Sequence, residues 1–213
     1  MISAIILAAG ESRRFPGNKM VHELSIRGVK KPLIAHTVDT FLSIDDIDEV
    51  IVVLGKDPCN VVEALEGGPR LKFVVNPSYR EGMSSSVKVG VAAVAKYADM
   101  ILIHPGDVPF ISPESIRALL KRAGDLERVG ISSFVLVPVY GDKGGHPLLI
   151  SKELIPDVLA IGEETRGLKG FLRKARAAGY VTNVYLNDVG VLFDIDTPED
   201  LERARSLGLL DRE

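Results

Sequence analysis

Tryptophan is missing from this sequence, cysteine occurs once, and aromatic side chains make up only 6% of its 213 residues. With so few aromatics there is no row of rings on which successive bases of a single strand could stack. The lone cysteine, Cys59, excludes an internal disulfide and a thiolate metal cluster. It reads as a buried or neutral residue sooner than as a nucleophile. Basic residues are not in excess either. The formal net charge is -3, so extended nucleic-acid binding is not expected. No apolar stretch approaches the roughly 18 residues of a membrane span, and no charged leader precedes an apolar segment. These absences suggest a cytoplasmic protein with no membrane contact.

What is present is an ordinary globular composition, 46% hydrophobic, long enough to enclose one sizeable core. A single domain over residues 1–213 is expected. Short β-branched runs at 49–54, 71–75, 100–103, 134–139, 181–186 and 191–195 read as strands. Residues 146–150 are expected to pair with what precedes them. Helical spacing marks 33–42, 58–65, 84–95, 112–123, 168–178 and 197–206, and 27–31 reads as a charged turn. Strands separated by helices predict a mostly parallel sheet covered on both faces, an α/β fold of three layers. The pattern is weakest over 140–170, which is expected to form a lid or an acceptor-binding subregion.

Ligands of such sheets lie beyond the carboxyl ends of the strands, and the informative polar residues sit there. The first is the stretch Ile2 to Lys19. An apolar run ends in Leu7, Ala8, Ala9 and Gly10, then come Ser12, Arg13, Arg14 and Lys19. A small-residue turn exposes backbone N–H groups, and fixed positive charge beside it suits a polyphosphate. The stretch matches neither the dinucleotide fingerprint nor the Walker A loop. Asp107 follows the fourth strand in His104-Pro105-Gly106-Asp107-Val108-Pro109, either as a ligand to a cation or as a turn former. In Asp194-Ile195-Asp196, strand alternation would place both carboxylates on one face. Such a pair suits Mg²⁺, which takes hard oxygen ligands, although either aspartate could instead cap the next helix. Asn76-Pro77 ends the third strand, and Glu81-Gly82-Met83-Ser84-Ser85-Ser86 opens the next helix, as an anion or base site or as a plain cap. His146 in Gly144-Gly145-His146-Pro147 could orient a substrate or simply belong to a strand.

The first stretch resembles the N-terminal signature of the MobA/MocA-like nucleotidyltransferases, L-A-A-G-x-S-x-R-x-G-x-x-K. Leu7, Ala8, Ala9, Gly10, Ser12, Arg14 and Lys19 match it. Phe15 stands where methionine is usual, and Pro16 is an extra residue before Gly17. The Gly106-Asp107-Val108-Pro109 and Asp194-Ile195-Asp196-Thr197-Pro198-Glu199-Asp200 segments are similar to two later motifs of the family. The resemblance is nearest to the molybdopterin cytidylyltransferase branch and implies the Rossmann-like, GT-A-like nucleotidyltransferase fold. It further implies Mg²⁺ held by Asp107 and Asp196, with Asp194 as the alternate. Leu7, Ala8, Ala9, Gly10, Ser12, Asn76, Ser84 and Ser85 would bind the nucleotide, and Lys19, Arg14 and Asp107 would carry the chemistry. Gly145, His146 and Lys169 would meet the acceptor. One departure stands out: Lys169 replaces the arginine usual in the stretch Gly162 to Lys169, and lysine cannot make a bidentate phosphate contact.

The implied reaction moves a nucleotidyl group from an NTP to a phosphorylated acceptor such as molybdopterin, releasing pyrophosphate. The Ala8-Ala9-Gly10 form is typical of relatives that use CTP. A transient contact with a molybdoenzyme or chaperone goes with that branch. Sugar- or polyol-phosphate nucleotidyl transfer is the nearest alternative. Glycosyl transfer from a nucleotide sugar would call for a D-x-D motif after a central strand, where this sequence has only Asp107. A non-catalytic nucleotide-binding protein would be expected to have lost Lys19 or the carboxylates, and all are retained.

Overall fold

The computed structural model describes residues 1–211. The chain runs β1 (Ile2–Ala8), β2 (Glu23–Ile26), β3 (Val29–Pro32), α1 (Leu33–Leu42), β4 (Glu49–Leu54), α2 (Pro58–Glu63), β5 (Leu71–Val75), α3 (Met83–Val94) and β6 (Met100–Pro105). It continues through α4 (Pro113–Arg128), β7 (Val135–Tyr140), β8 (Lys143–Gly144), β9 (Leu148–Ser151), α5 (Ile155–Leu159), α6 (Gly167–Ala177), β10 (Val181–Tyr185) and α7 (Pro198–Ser206). The main sheet has the order β10-β7-β9-β6-β1-β4-β5, with β8 paired to β7. β1 is parallel to both β4 and β6, and β9 lies antiparallel between β6 and β7. This is the expected three-layer α/β/α fold with a largely parallel sheet.

The central strands are apolar on both faces because both faces are covered. Every residue of β4 is buried. One face packs Phe41, Ile116, Leu119, Leu201 and Ala204, from α1, α4 and α7. The other packs Val87, Val91, Val158 and Phe171, from α3, α5 and α6. Gly90 sets how closely α3 sits on the sheet. A Cβ there would lie 2.5 Å from Ile5 Cγ2 and 2.8 Å from Val53 Cγ2. Close seating brings the start of α3 over the carboxyl ends of β1 and β4. The path goes from β1 outward to β4 and β5, then crosses back to β6 on the other side of β1. The crevice between the ends of β1 and β6 is thus a switch point, where such sheets bind ligands.

Several details depart from the sequence reading. The charged turn over 27–31 is part of a hairpin, β2 and β3. Arg27 and Gly28 at its tip both have positive φ, the geometry favoured in two-residue hairpin turns. α4 runs past Ala123 to Arg128. No strand forms over 191–195. Val191, Phe193 and Ile195 are buried alternately, but their backbone bonds go to loops. Val191 O accepts from His146 N, and Ile195 N donates to Asp107 O. Asp188 caps a short 3₁₀ helix, Val189–Val191, by accepting from Gly190 N. Much of 140–170 is built into the body of the fold. β9 is an interior strand and α5 packs on the face that holds α3.

Candidate active site

β1 delivers Ala9 and Gly10 to the crevice, and a loop then turns back over it. Ser12, at φ 51°, closes that loop: its carbonyl accepts from Phe15 N at 3.0 Å and its Oγ accepts from Lys19 N at 3.3 Å. The loop fits tightly against β4. A Cβ on Gly55 would fall 2.4 Å from Ala9 O, so only glycine lets the Ala9 backbone pass there. Lys19, despite its charge, is 6% exposed. Its Nζ donates to Asp107 Oδ2 at 2.6 Å, to Asp196 Oδ1 at 2.8 Å and to Ile195 O at 2.9 Å. Arg14 Nη2 donates to the other oxygen, Asp196 Oδ2, at 2.7 Å. The Ile195 N–H to Asp107 O bond, 2.9 Å, ties the two aspartate segments together through their main chains.

The electrostatics follow from this packing. Burial alone would push Lys19 down, but the Asp107 and Asp196 carboxylates outweigh it and hold the ammonium above its ordinary value. For Asp196, burial is likewise outweighed by Lys19 and Arg14, and the carboxyl is held low. Asp194 is raised, by burial first and then by the negative charge of Asp196 and Asp107.

The cleft has a volume of about 460 Å³. Gly10, Ser12, Arg14, Lys19, Asp107 and Asp196 all line it, together with Leu7 and Ala9. Ala8 is buried just behind. Lining residues outside the candidate set include Glu11, Met20, Tyr79 and Arg80. Arg13 Nε donates to Glu11 Oε2 at 2.7 Å, and Arg80 Nε lies 3.6 Å from Glu11 Oε1. Tyr79 and Arg80 belong to a 3₁₀ turn just before α3. Their place after a strand end was the only signal available for them.

Other candidates are placed elsewhere. Asn76 is buried and spent on structure: its Nδ2 donates to Ser85 Oγ and Ser86 Oγ, each at 2.9 Å, and its Oδ1 accepts from Ser78 N at 3.0 Å. Ser85 is held in the same network, 2.8 Å from Gly82 O. Ser84 N donates to Glu163 Oε1 at 2.9 Å, and its buried Oγ faces Gly167, with no partner. Of this serine run only Ser86 reaches the cleft wall, because helical spacing turns its neighbours inward. Gly145 and His146 lie behind Asp107. A Cβ on Gly145 would meet Val191 O at 2.2 Å. The His146 ring stands 6.3 Å from that of His104, and its Nδ1 is buried without a partner. Lys169 is exposed on α6 and does not line the cleft. Cys59 is exposed on α2.

A metal would find oxygen donors here. Among the described residues no three His, Cys, Asp or Glu side chains form a ready cage. Mg²⁺ needs less, since it is usually held by one or two carboxylates, substrate phosphates and water. Asp107 and Asp196 are already drawn to one point by Lys19. The donor set therefore fits a hard divalent cation that shares its shell with a phosphorylated ligand.

The MobA-like NTP transferase domain matches residues 4–179. The chain belongs to that family. A nucleotidyl transferase from Methanothermobacter thermautotroptrophicus has the same fold, with a TM-score of 0.77, 27% identity and 98% of both chains covered. The 2-C-methyl-D-erythritol 4-phosphate cytidylyltransferase of Chlamydia caviae is 34% identical over 75% of this chain and 67% of its own length. The molybdenum cofactor cytidylyltransferase of Escherichia coli is 26% identical over 96% and 95%. Other relatives are longer: the chain spans only 34% of the bifunctional protein GlmU of Aquifex aeolicus. Family and fold make the chain a MobA-like NTP transferase domain. They do not single out the molybdopterin branch within the family.

Proposed function

We propose that the protein transfers a nucleotidyl group from an NTP, preferably CTP, to a phosphorylated sugar or polyol. The observation that carries this reading is the convergence of Lys19, Arg14, Asp107 and Asp196 beneath the Gly10 turn, at the switch point of the sheet. An oxygen of the acceptor phosphate attacks the α-phosphorus. A new P–O bond forms, the bond to the bridging α–β oxygen breaks, and pyrophosphate leaves. The attacking oxygen is already an anion, so the site needs alignment and neutralisation more than a general base. Gly10 and its neighbours offer N–H groups, while Arg13, Arg14 and Arg80 offer positive charge along the cleft wall. A divalent cation, Mg²⁺ by its donor chemistry, would be held by Asp107 and Asp196, with Asp194 nearby, and would neutralise the phosphate oxygens.

The sugar- or polyol-phosphate class takes precedence over molybdopterin for two reasons. The relative named for a polyol phosphate shows the higher identity, 34% against 26%. Lys169, where the molybdopterin branch has arginine, is exposed and does not line the cleft. The molybdopterin reading keeps one observation in its favour, the end-to-end match to the Escherichia coli enzyme. Both relatives are cytidylyltransferases by name, which supports CTP. The test is pyrophosphate release with each of the four NTPs against a panel of polyol phosphates, sugar 1-phosphates and molybdopterin. CTP should be preferred by at least about tenfold in kcat/KM, the scale that pocket shape alone can supply. Turnover with molybdopterin alone would reassign the acceptor, and a preference for a purine triphosphate would reassign the donor.

A further inference from the structure

Lys19 sits where the family reading expects two different things. It is to act on phosphates, yet all three hydrogens of its ammonium are already used, on Asp107, Asp196 and Ile195 O. An ammonium has three donors and no acceptor, so it cannot also serve a phosphate without releasing one of these partners. The two carboxylates that would hold a cation have the mirror problem: one oxygen of each is within 2.8 Å of the same nitrogen. The side chain is buried, so this contact is not a loose surface pair that water readily replaces.

We propose that Lys19 is a built-in substitute for the divalent cation, holding Asp107 and Asp196 together in the resting protein and yielding them when the cation arrives. This rests on the nucleotidyl-transfer reading and deepens it. Without a positive charge between them the two carboxylates would repel, at a cost the protein avoids by supplying its own ammonium. The main-chain bond from Ile195 N to Asp107 O keeps the two segments in place when the ammonium leaves. A divalent cation brings twice the charge to the same oxygens. Once displaced, Lys19 has free donors within the cleft that it lines, and can turn to a bound polyphosphate. Cation and nucleotide binding are then coupled, because the first frees a donor for the second.

The opposite arrangement is equally concrete: Lys19 could preorganise the aspartates and so assist cation binding. The two differ in sign. The probe is Mn²⁺ alone, titrated by calorimetry into wild type and Lys19→Met with no nucleotide or acceptor present. Removing a unit charge in contact with the site should tighten Mn²⁺ binding by at least about tenfold. Mn²⁺ should also raise the melting temperature of the variant more than that of wild type. In wild type labelled with ¹⁵N-lysine, the buried Lys19 ammonium should give a signal protected from exchange, and Mg²⁺ should remove that protection. Equal or weaker Mn²⁺ binding by Lys19→Met, or an ammonium signal that Mg²⁺ leaves unchanged, overturns the proposal. If the variant does not fold, the wild-type signal decides by itself. None of these readouts contains a substrate, so the exchange can fail while nucleotidyl transfer stands, and the reverse.

Discussion

His104 is fully buried, and its Nε2–H donates to Val108 O at 2.9 Å while Nδ1 has no partner. Burial, with the neighbouring His146 adding to it, pushes its pKa down to about 3 from 6.5. Between those values the unfolded chain binds one more proton than the folded one, so this histidine stabilises the fold above pH 6.5 and that stability is lost as pH falls. The slope is about 1.4 kcal/mol per pH unit, or about 2 kcal/mol between pH 6.5 and 5. Urea titrations of wild type and His104→Gln at both pH values should show it: the variant loses less stability on acidification. Equal losses would mean that His104 is not held neutral. Asp107 makes a second prediction at this scale. Asparagine keeps its shape but removes its charge, so Asp107→Asn should raise the Mg²⁺ requirement and lower turnover by about 10²-fold or more, with the melting profile retained. Full activity of that variant at low Mg²⁺ would remove Asp107 from the site.

At the scale of elements, helix placement fixes the cleft, and two glycines in helices distinguish packing from propensity. Gly90 in α3 meets Ile5 and Val53 directly, whereas a Cβ on Gly124 in α4 would have nothing within 4 Å. The same change should therefore have opposite signs. Gly124→Ala should stabilise the protein by about 0.5–1 kcal/mol through helix propensity. Gly90→Ala should destabilise it by about 1–2 kcal/mol, because overpacking exceeds that gain. Denaturant midpoints of the two variants check both, and a stabilised Gly90→Ala would refute the close seating of α3. The elements most legible in the sequence were those whose pattern matches their burial, an unbroken apolar run for β4 and helical spacing for α1. Residues 191–195 misled because alternate burial arises wherever an extended segment lies on a core, whether or not a ladder partner exists. The β2–β3 hairpin was too short and too charged to show a pattern. The convergence of Asp107, Asp196 and Lys19 at the cleft was legible because motif and strand end coincide. The inward placement of Ser84, Ser85 and Asn76 was not legible, since hydroxyls and amides that face a ligand look the same in sequence as those that tie a turn to a helix.

For the whole molecule, the proposed polyphosphate site lies at the sheet's switch point, and its cations are paired within the protein before any ligand arrives. Lys19 and Arg14 face Asp196, and Arg13 and Arg80 face Glu11. Every ionic contact that a nucleotide would make exchanges for one within the protein, so NTP binding should weaken only modestly with salt, by less than the count of cleft cations suggests. Calorimetry from 50 to about 300 mM salt tests this, and a steep loss would mean that the internal pairs are not formed in solution. The most direct test of nucleotidyl transfer follows an α-³²P label from CTP in the presence of Mg²⁺ and a polyol phosphate. The label should move to the acceptor with one pyrophosphate released per transfer, and Asp107→Asn should suppress both together. Label that stays on the nucleotide with every NTP and every phosphorylated acceptor, while a nucleotide sugar donates its sugar instead, would contradict nucleotidyl transfer.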